Sequence, residues 1–385
     1  MISFIVCVVW AREEMADDGT PPGWVYSYNV GVEAEAANRS PTKNFQTLRA
    51  DLAVLPWLLA GKHDFVIAPP PRAEFLESLR DAGVTDLPTF ISDAGKLPKG
   101  RRIAGHRPWG VVGPHLRRSN VASYREDVIV CRSLDEVRSA IATVVAQPYR
   151  QRPEGARCDE GDVSSSGGPT ATRAVLKAEY SSSGHGVRVC EVDVASGPAL
   201  RAADEGWARN LLQRDGALTV EPFIEILMEF SGEWLCGEWC GLSLQEVTHL
   251  RWNGTRLEEP TATEVGDELY DFVYHKRAVE AALRAWDVPG RCGMETCGMD
   301  CAVVRSTDGS GALEVQALEV NARTTMNHYA QAARRRVPGA THFGVVRASE
   351  LPGQPDLLPL TDPQAATTGF CAVVWRRAPM AMRAP

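Results

Sequence analysis

The run LEVNARTTMNHYA, residues 318–330, places a carboxylate, an amide and a guanidinium at alternate positions: Glu319, Asn321 and Arg323. Leu318 and Val320 hold the opposite parity, and strand side chains alternate faces. The three polar groups are therefore expected on one side of a strand end. Upstream, Asp300 interrupts the otherwise apolar stretch MDCAVV, 299–304. Between them lies STDGSG, 306–311, a cluster of turn formers. The stretches 298–305 and 312–321 should thus pair antiparallel and bring Asp300 to Glu319. Two carboxylates and an amide oxygen are hard donors that suit Mg²⁺, an ion that usually shares its coordination with substrate phosphates. The competing reading is a plain polar sheet edge.

Two further groups could serve the same chemistry. In RAVLKAEY, 173–180, Lys177 is flanked by Leu176 and Ala178, and a lysine in a buried strand needs a partner. The loop SSSGHG, 181–186, follows, then VRVCEV, 187–192. This is strand, Gly/Ser loop, strand: a hairpin and not a phosphate loop that opens a helix. A phosphate under that loop would give Lys177 a partner, with backbone N–H groups as further donors. An ordinary hairpin is the alternative. VEPFIEILMEF, 220–230, carries Glu221, Glu225 and Glu229 at helical spacing. Pro222 and the β-type flanks favour an extended segment instead. Such a segment suits adenine bound by backbone groups and ribose hydroxyls held by a carboxylate.

The elements that must position these residues can be read from periodicity. Residues 1–10 predict a strand, and 11–41 a polar loop punctuated by Gly and Pro. From Thr42 to Ala60 the apolar residues recur at helical spacing, with Pro56 as a kink or last turn. DFVIA, 64–68, predicts a strand, and 73–83 a helix stopped by Gly83. That alternation suggests a parallel α/β unit. VIVC, 128–131, is a further strand, and Ser133 with Glu136 forms a capping box for the next helix. Residues 150–172 hold almost nothing to bury and predict a flexible insertion. Helices are expected at about 199–213 and 278–286, with strand alternation over 228–252.

At 385 residues, 44% hydrophobic and 23% charged, the chain fits a globular protein of two or three subdomains. A net charge of −8, with no basic run longer than Arg334–Arg336, argues against nucleic acid as a partner. The apolar N-terminus is too short to span a bilayer, so a cytoplasmic protein without a membrane partner is expected. Ten cysteines include Cys236/Cys240 and Cys292/Cys297/Cys301. Neither spacing is a standard zinc pattern, so reduced, mostly buried thiols are expected.

The order of Lys177 strand, Gly/Ser loop, VEPFIE segment, strand Asp300 and Glu319-x-Asn321 strand resembles the ATP-grasp superfamily over residues 130–335. The front of the chain resembles the preATP-grasp domain. The resemblance implies α/β and α+β architecture: a Rossmann-like domain at 1–125, a lid at 126–225, and a C-terminal α+β subdomain at 226–385 with an irregular tail. It implies ATP and Mg²⁺ as cofactors. Lys177 would contact phosphates under a flap of Ser181, Ser182, Ser183, Gly184 and Gly186. Glu221, Pro222, Phe223 and Ile224 would form the adenine hinge, and Glu229 would take the ribose. Asp300, Glu319 and Asn321 would hold Mg²⁺, and Arg323 would steady the transferring phosphoryl group.

The implied reaction is ATP-dependent ligation of a small-molecule or peptide carboxylate to an amine, in a protein that could form a homodimer. A nucleotide-binding regulatory protein and a small-molecule kinase are the alternatives. The chain departs from the family in two respects, one being that the insertion at 150–172 is long for its position. No lysine lies between Lys99 and Lys177, where an upstream nucleotide lysine is usual. Arg117, Arg118 and Arg125 are the candidates to replace it.

Overall fold

A computed structural model describes residues 21–146, 172–180, 186–192, 199–306, 310–352, 354, 356–365 and 369–376. The strand expected at 1–10 and the insertion at 150–171 lie outside the described residues. Three sheets organise the rest.

The first sheet is parallel. Its strands are β1 (Gly23–Ser27), β2 (Phe65–Ile67), β3 (Thr89–Ile91) and β4 (Ile103–Pro108), in the order β3-β2-β1-β4. β1 overturns the expectation of a loop over 11–41. Five residues between Pro/Gly punctuation carry little periodic signal, and the strand exists because β2 and β4 supply both of its ladders. Tyr26 packs with Val54 and Val66 on one face, Val25 with Phe65 and Ile91 on the other, as a parallel sheet requires. The helix expected over Thr42–Ala60 is divided. The α-helix runs Lys43–Asp51, capped by Thr42, and a 3₁₀ turn spans Leu55–Leu58. The side chain of Asp51, the last helical residue, accepts from the N–H groups of Gly369 and Phe370, and Pro56 lacks a donor. The helix Ala73–Asp81 stops before Gly83, whose φ is +95°.

The second sheet contains β5 (Ile129–Cys131), β6 (Thr172–Ala178), β7 (Val187–Val192) and β8 (Leu218–Pro222), ordered β5-β8-β6-β7 with antiparallel pairs. Helices Leu134–Ala146 and Ala202–Asp215 cover one face. Val137, Ile141 and Leu211 pack there on Leu176, Cys190, Leu218 and Val220. The residues of opposite parity, Lys177, Thr219 and Glu221, lie on the other face.

The third sheet is antiparallel and holds eight strands: β9 (Met228–Leu235), β10 (Glu238–Thr248), β11 (Arg251–Arg256), β12 (Cys297–Arg305), β13 (Leu313–Asn321), β14 (His342–Arg347), β15 (Leu357–Pro359) and β16 (Phe370–Trp375). Their order is β13-β12-β9-β10-β11-β14-β16-β15. The expected hairpin is present as β12–β13, with Asp300 opposite Glu319. β14, β15 and β16 extend the sheet as far as Trp375, and residues 377–385 lie outside the described residues. β14 takes β11 as a partner far upstream, which leaves no local hairpin signal.

The helix Met326–Arg336 packs between the far half of this sheet and the parallel unit. Tyr28, Trp57, Tyr329, Phe343 and Val374 share that core. The architecture is therefore α/β followed by α+β. Among the described residues, no helix is long and apolar enough to cross a membrane.

Candidate active site

The register of β13, β12, β9 and β10 lays polar residues in rows across one sheet face. One row reads Glu319, Asp300, Ser231, Ser243, and the next Asn321, Gly298, Glu233, Gly241. Glu229 lies one step along β9, opposite Ala302. Asp300 accepts from Gln245 Nε2 at 2.7 Å and from Asn321 Nδ2 at 2.9 Å. Burial, then the charge of Glu319, pushes the Asp300 carboxyl up to about 7. Burial, then the charge of Asp300, pushes Glu229 up to about 7, against the opposing pull of Lys177. Like charges crowded in a poorly solvated place disfavour ionisation.

The second sheet meets this face at the edge of β13. Lys177 Nζ donates to Glu221 Oε2 at 2.8 Å and to the Leu318 carbonyl at 3.2 Å. Arg125 Nη1 donates to the same Glu221 oxygen at 3.0 Å and to the Ala317 carbonyl at 3.2 Å. Two cations thus cap adjacent edge carbonyls of β13 and share one buried carboxylate. Arg125 also forks onto Asp127 at 2.8 and 2.7 Å. Of the three candidate arginines, Arg125 is buried in this cluster. Arg117 is half-exposed and donates to the Tyr180 hydroxyl at 3.0 Å. The side chain of Arg118 lies outside the described residues.

The remaining expected residues divide as follows. Glu221 lends its side chain to the cation cluster, and its position in β8 pairs with Val175 of β6. Pro222 ends β8, and Phe223 and Ile224 run in the open connection to β9. The Arg173 guanidinium lies 3.7 Å from the Phe223 ring centroid. Ser181, Ser182, Ser183 and Gly184 lie outside the described residues. Gly186 has φ +78°, and its carbonyl accepts from Ala178 N–H at 2.7 Å.

Arg323 departs from the expected row. β13 ends at Asn321, and the chain then turns, with Arg323 N–H donating to the Asn321 carbonyl at 2.8 Å. Strand alternation no longer applies there. Arg323 Nε donates to Glu33 Oε1, and its guanidinium lies 5.3 Å from the Trp109 ring centroid. It joins the parallel unit to the strand end and does not line up with Glu319 and Asn321.

Among the described residues, no three His, Cys, Asp or Glu side chains form a metal-holding group. A cation held by protein alone is therefore unsupported. Mg²⁺, however, is commonly bound by one or two carboxylates together with substrate phosphates. Asp300 and Glu319, opposite each other and burdened by mutual repulsion, fit that arrangement, as does the adjacent amide of Asn321. Cysteines are free among the described residues, and Cys131, Cys190, Cys297, Cys301 and Cys371 are buried.

Sequence reading missed Ser231, Glu233 and Gln245. The first two had a signal: Glu229, Ser231 and Glu233 alternate in EFSGE, 229–233. Gln245 had none, because its contact with Asp300 is long-range.

No family model and no curated protein matches the sequence. Among solved structures, the chain is similar to an ADP complex of N5-carboxyaminoimidazole ribonucleotide synthetase, at 12% identity over 92% of each chain, with a TM-score of 0.44. It is similar to N5-carboxyaminoimidazole synthetase from Staphylococcus aureus complexed with ADP, at 10% identity over 97% of this chain and 96% of that one, with a TM-score of 0.46. It is similar to D-alanine–D-alanine ligase from Bacillus anthracis, at 12% identity over 80% and 91%, with a TM-score of 0.37. Likeness at this level assigns neither an activity nor a residue role.

Proposed function

We propose that the protein is an ATP-dependent ligase of the ATP-grasp kind, which joins a small-molecule or peptide carboxylate to an amine. One observation carries the reading. Lys177, on the face of the second sheet opposite its helices, reaches the edge of β13 beside Glu319, at a face where Glu229, Asp300 and Glu319 crowd their charges. A cation on one wall and hard oxygen donors on the other suit a polyphosphate bridged by Mg²⁺. Bound there, Mg²⁺ would neutralise phosphate charge during transfer.

In this reading Lys177 binds the phosphates. Ser181, Ser182, Ser183, Gly184 and Gly186 cover them. Glu221, Pro222, Phe223 and Ile224 flank the adenine, and Glu229 takes the ribose. Asp300, Glu319 and Asn321 are the ion's ligands. Arg323 would reach a phosphoryl group only on release from Glu33. The acceptor carboxylate attacks the γ-phosphorus, the bond to ADP breaks, and an acyl phosphate forms. The amine nitrogen then attacks the acyl carbon, phosphate leaves, and the nitrogen loses a proton. Closure of the flap keeps water from the acyl phosphate. A cytoplasmic setting supplies ATP and such substrates.

The test is incubation with ATP, Mg²⁺ and a pool of amino acids and small peptides, with and without hydroxylamine. A ligase releases phosphate one-for-one with ADP, and hydroxylamine traps a hydroxamate. A phosphate ester formed without free phosphate would replace this reading with a kinase. Nucleotide binding without turnover across the pool would favour a regulatory protein.

A further inference from the structure

The first row of the candidate site is braced from behind by a buried carboxylate that the proposed reaction does not use. Glu233 has no solvent exposure and His328 is 1% exposed. A buried carboxylate is costly unless several donors satisfy it. Glu233 Oε1 accepts from Ser231 Oγ at 2.6 Å, and Oε2 accepts from Thr325 Oγ1 at 3.0 Å. His328 Nδ1 lies 2.8 Å from Oε2, while its Nε2 faces the Trp234 carbonyl at 2.9 Å. Gly298 keeps the space open: a Cβ there would come within 2.7 Å of Glu233 Oε2.

One end of this brace lies beside a candidate cation ligand. Ser231 is the cross-strand partner of Asp300 on the same sheet face, and its hydroxyl donates to Glu233. Thr325 caps the helix Met326–Arg336 and follows closely on Asn321. A hydroxyl has one proton, so Ser231 donates to one carboxylate at a time. The Thr325 hydroxyl satisfies Glu233 from its other side. Turning the Ser231 proton to Asp300 breaks its bond to Glu233 and leaves Thr325 as that carboxylate's donor.

We infer that Ser231 and Glu233 are positioning residues that aim the Asp300 carboxylate at a divalent cation, Ser231 directly and Glu233 through Ser231 and Thr325. The inference rests on the proposed function and adds residues to the same site. Outer-shell partners of this kind change metal affinity by about 10–100-fold when removed.

The probe is Mn²⁺, titrated by electron paramagnetic resonance into the full chain with a non-hydrolysable ATP analogue. Ser231→Ala should weaken Mn²⁺ binding about 10-fold, with a melting temperature close to that of the unaltered protein. Ser231→Cys, which retains a weak donor, should fall between, and it carries the comparison if the alanine variant does not fold. Glu233→Gln should weaken Mn²⁺ and also lower the melting temperature. Unchanged Mn²⁺ affinity in folded Ser231 variants overturns the inference and leaves the ligase reading standing. If the unaltered protein binds the analogue but no Mn²⁺, the cation site itself is wrong and the inference falls with it.

Discussion

Lys177 Nζ lies 3.2 Å from the carbonyl oxygen of Leu318, so the second sheet meets the third at the residue preceding Glu319. Its other contact, 2.8 Å to Glu221 Oε2, keeps the ammonium pinned between a buried carboxylate and the edge of β13. A phosphate entering this junction would compete with both partners for the same cation.

Replacement of Lys177 by Met should therefore abolish nucleotide turnover while the fold survives. Arg125 still neutralises Glu221 at 3.0 Å. We expect ADP release to fall at least 100-fold, or about 2.7 kcal/mol of transition-state stabilisation, with the circular-dichroism melt displaced by only a few degrees. Turnover within threefold of the unaltered protein would remove Lys177 from the site.

Arg125→Ala should behave in the opposite way. Arg125 is 6% exposed, and its guanidinium holds Asp127, Glu221 and the Ala317 carbonyl together. Removing one partner of a buried charge cluster costs about 3–5 kcal/mol. A urea titration should register that loss directly, with Arg125→Lys recovering part of it. A change below about 1 kcal/mol would mean that the cluster is not a structural tie.

Glu319→Gln should leave the melt nearly unchanged and remove Mg²⁺-dependent ADP release. The amide keeps the side chain's size and removes a charge opposite Asp300. With that repulsion gone, the Asp300 carboxyl should titrate below its value of about 7. Full activity in this variant would sink the cation assignment.

Stability without nucleotide should fall as pH rises. Asp300 and Glu229 titrate near 7 in the folded chain, against about 4 for exposed carboxylates. Between these values the folded state binds more protons than the unfolded state, so the slope of unfolding free energy against pH is negative. The contribution is fully present below about pH 4 and lost by the time pH has passed through 7. Urea midpoints at pH 5 and pH 8 should show the decline, after correction for the rest of the chain by Asp300→Asn, which should flatten it. An equal slope in that variant would contradict the raised value for Asp300.

Much of this site was legible because its logic is local. Glu319 and Asn321 share a face through period-two alternation within one strand. Asp300 meets Glu319 because β12 and β13 are consecutive antiparallel strands, with an irregularity between Asp300 and Cys301 that shifts the register by one residue. Lys177 belongs to a hairpin strand for the same reason. Pro222 kept Glu221 and Glu229 from being mistaken for a helix face. What packing decided left little or no such trace. Arg323 shares the parity of Asn321, yet it turns to Glu33 because the strand has already ended. Arg125 and Lys177 meet over Glu221 only because two sheets abut, and His328 reaches Glu233 only because the helix Met326–Arg336 docks behind β9. β1 and β14 exist through partners distant in the chain. Periodicity reports which face a side chain takes within its own element. Which element lies opposite is set by the packing of whole sheets, and that is a property of the folded chain alone.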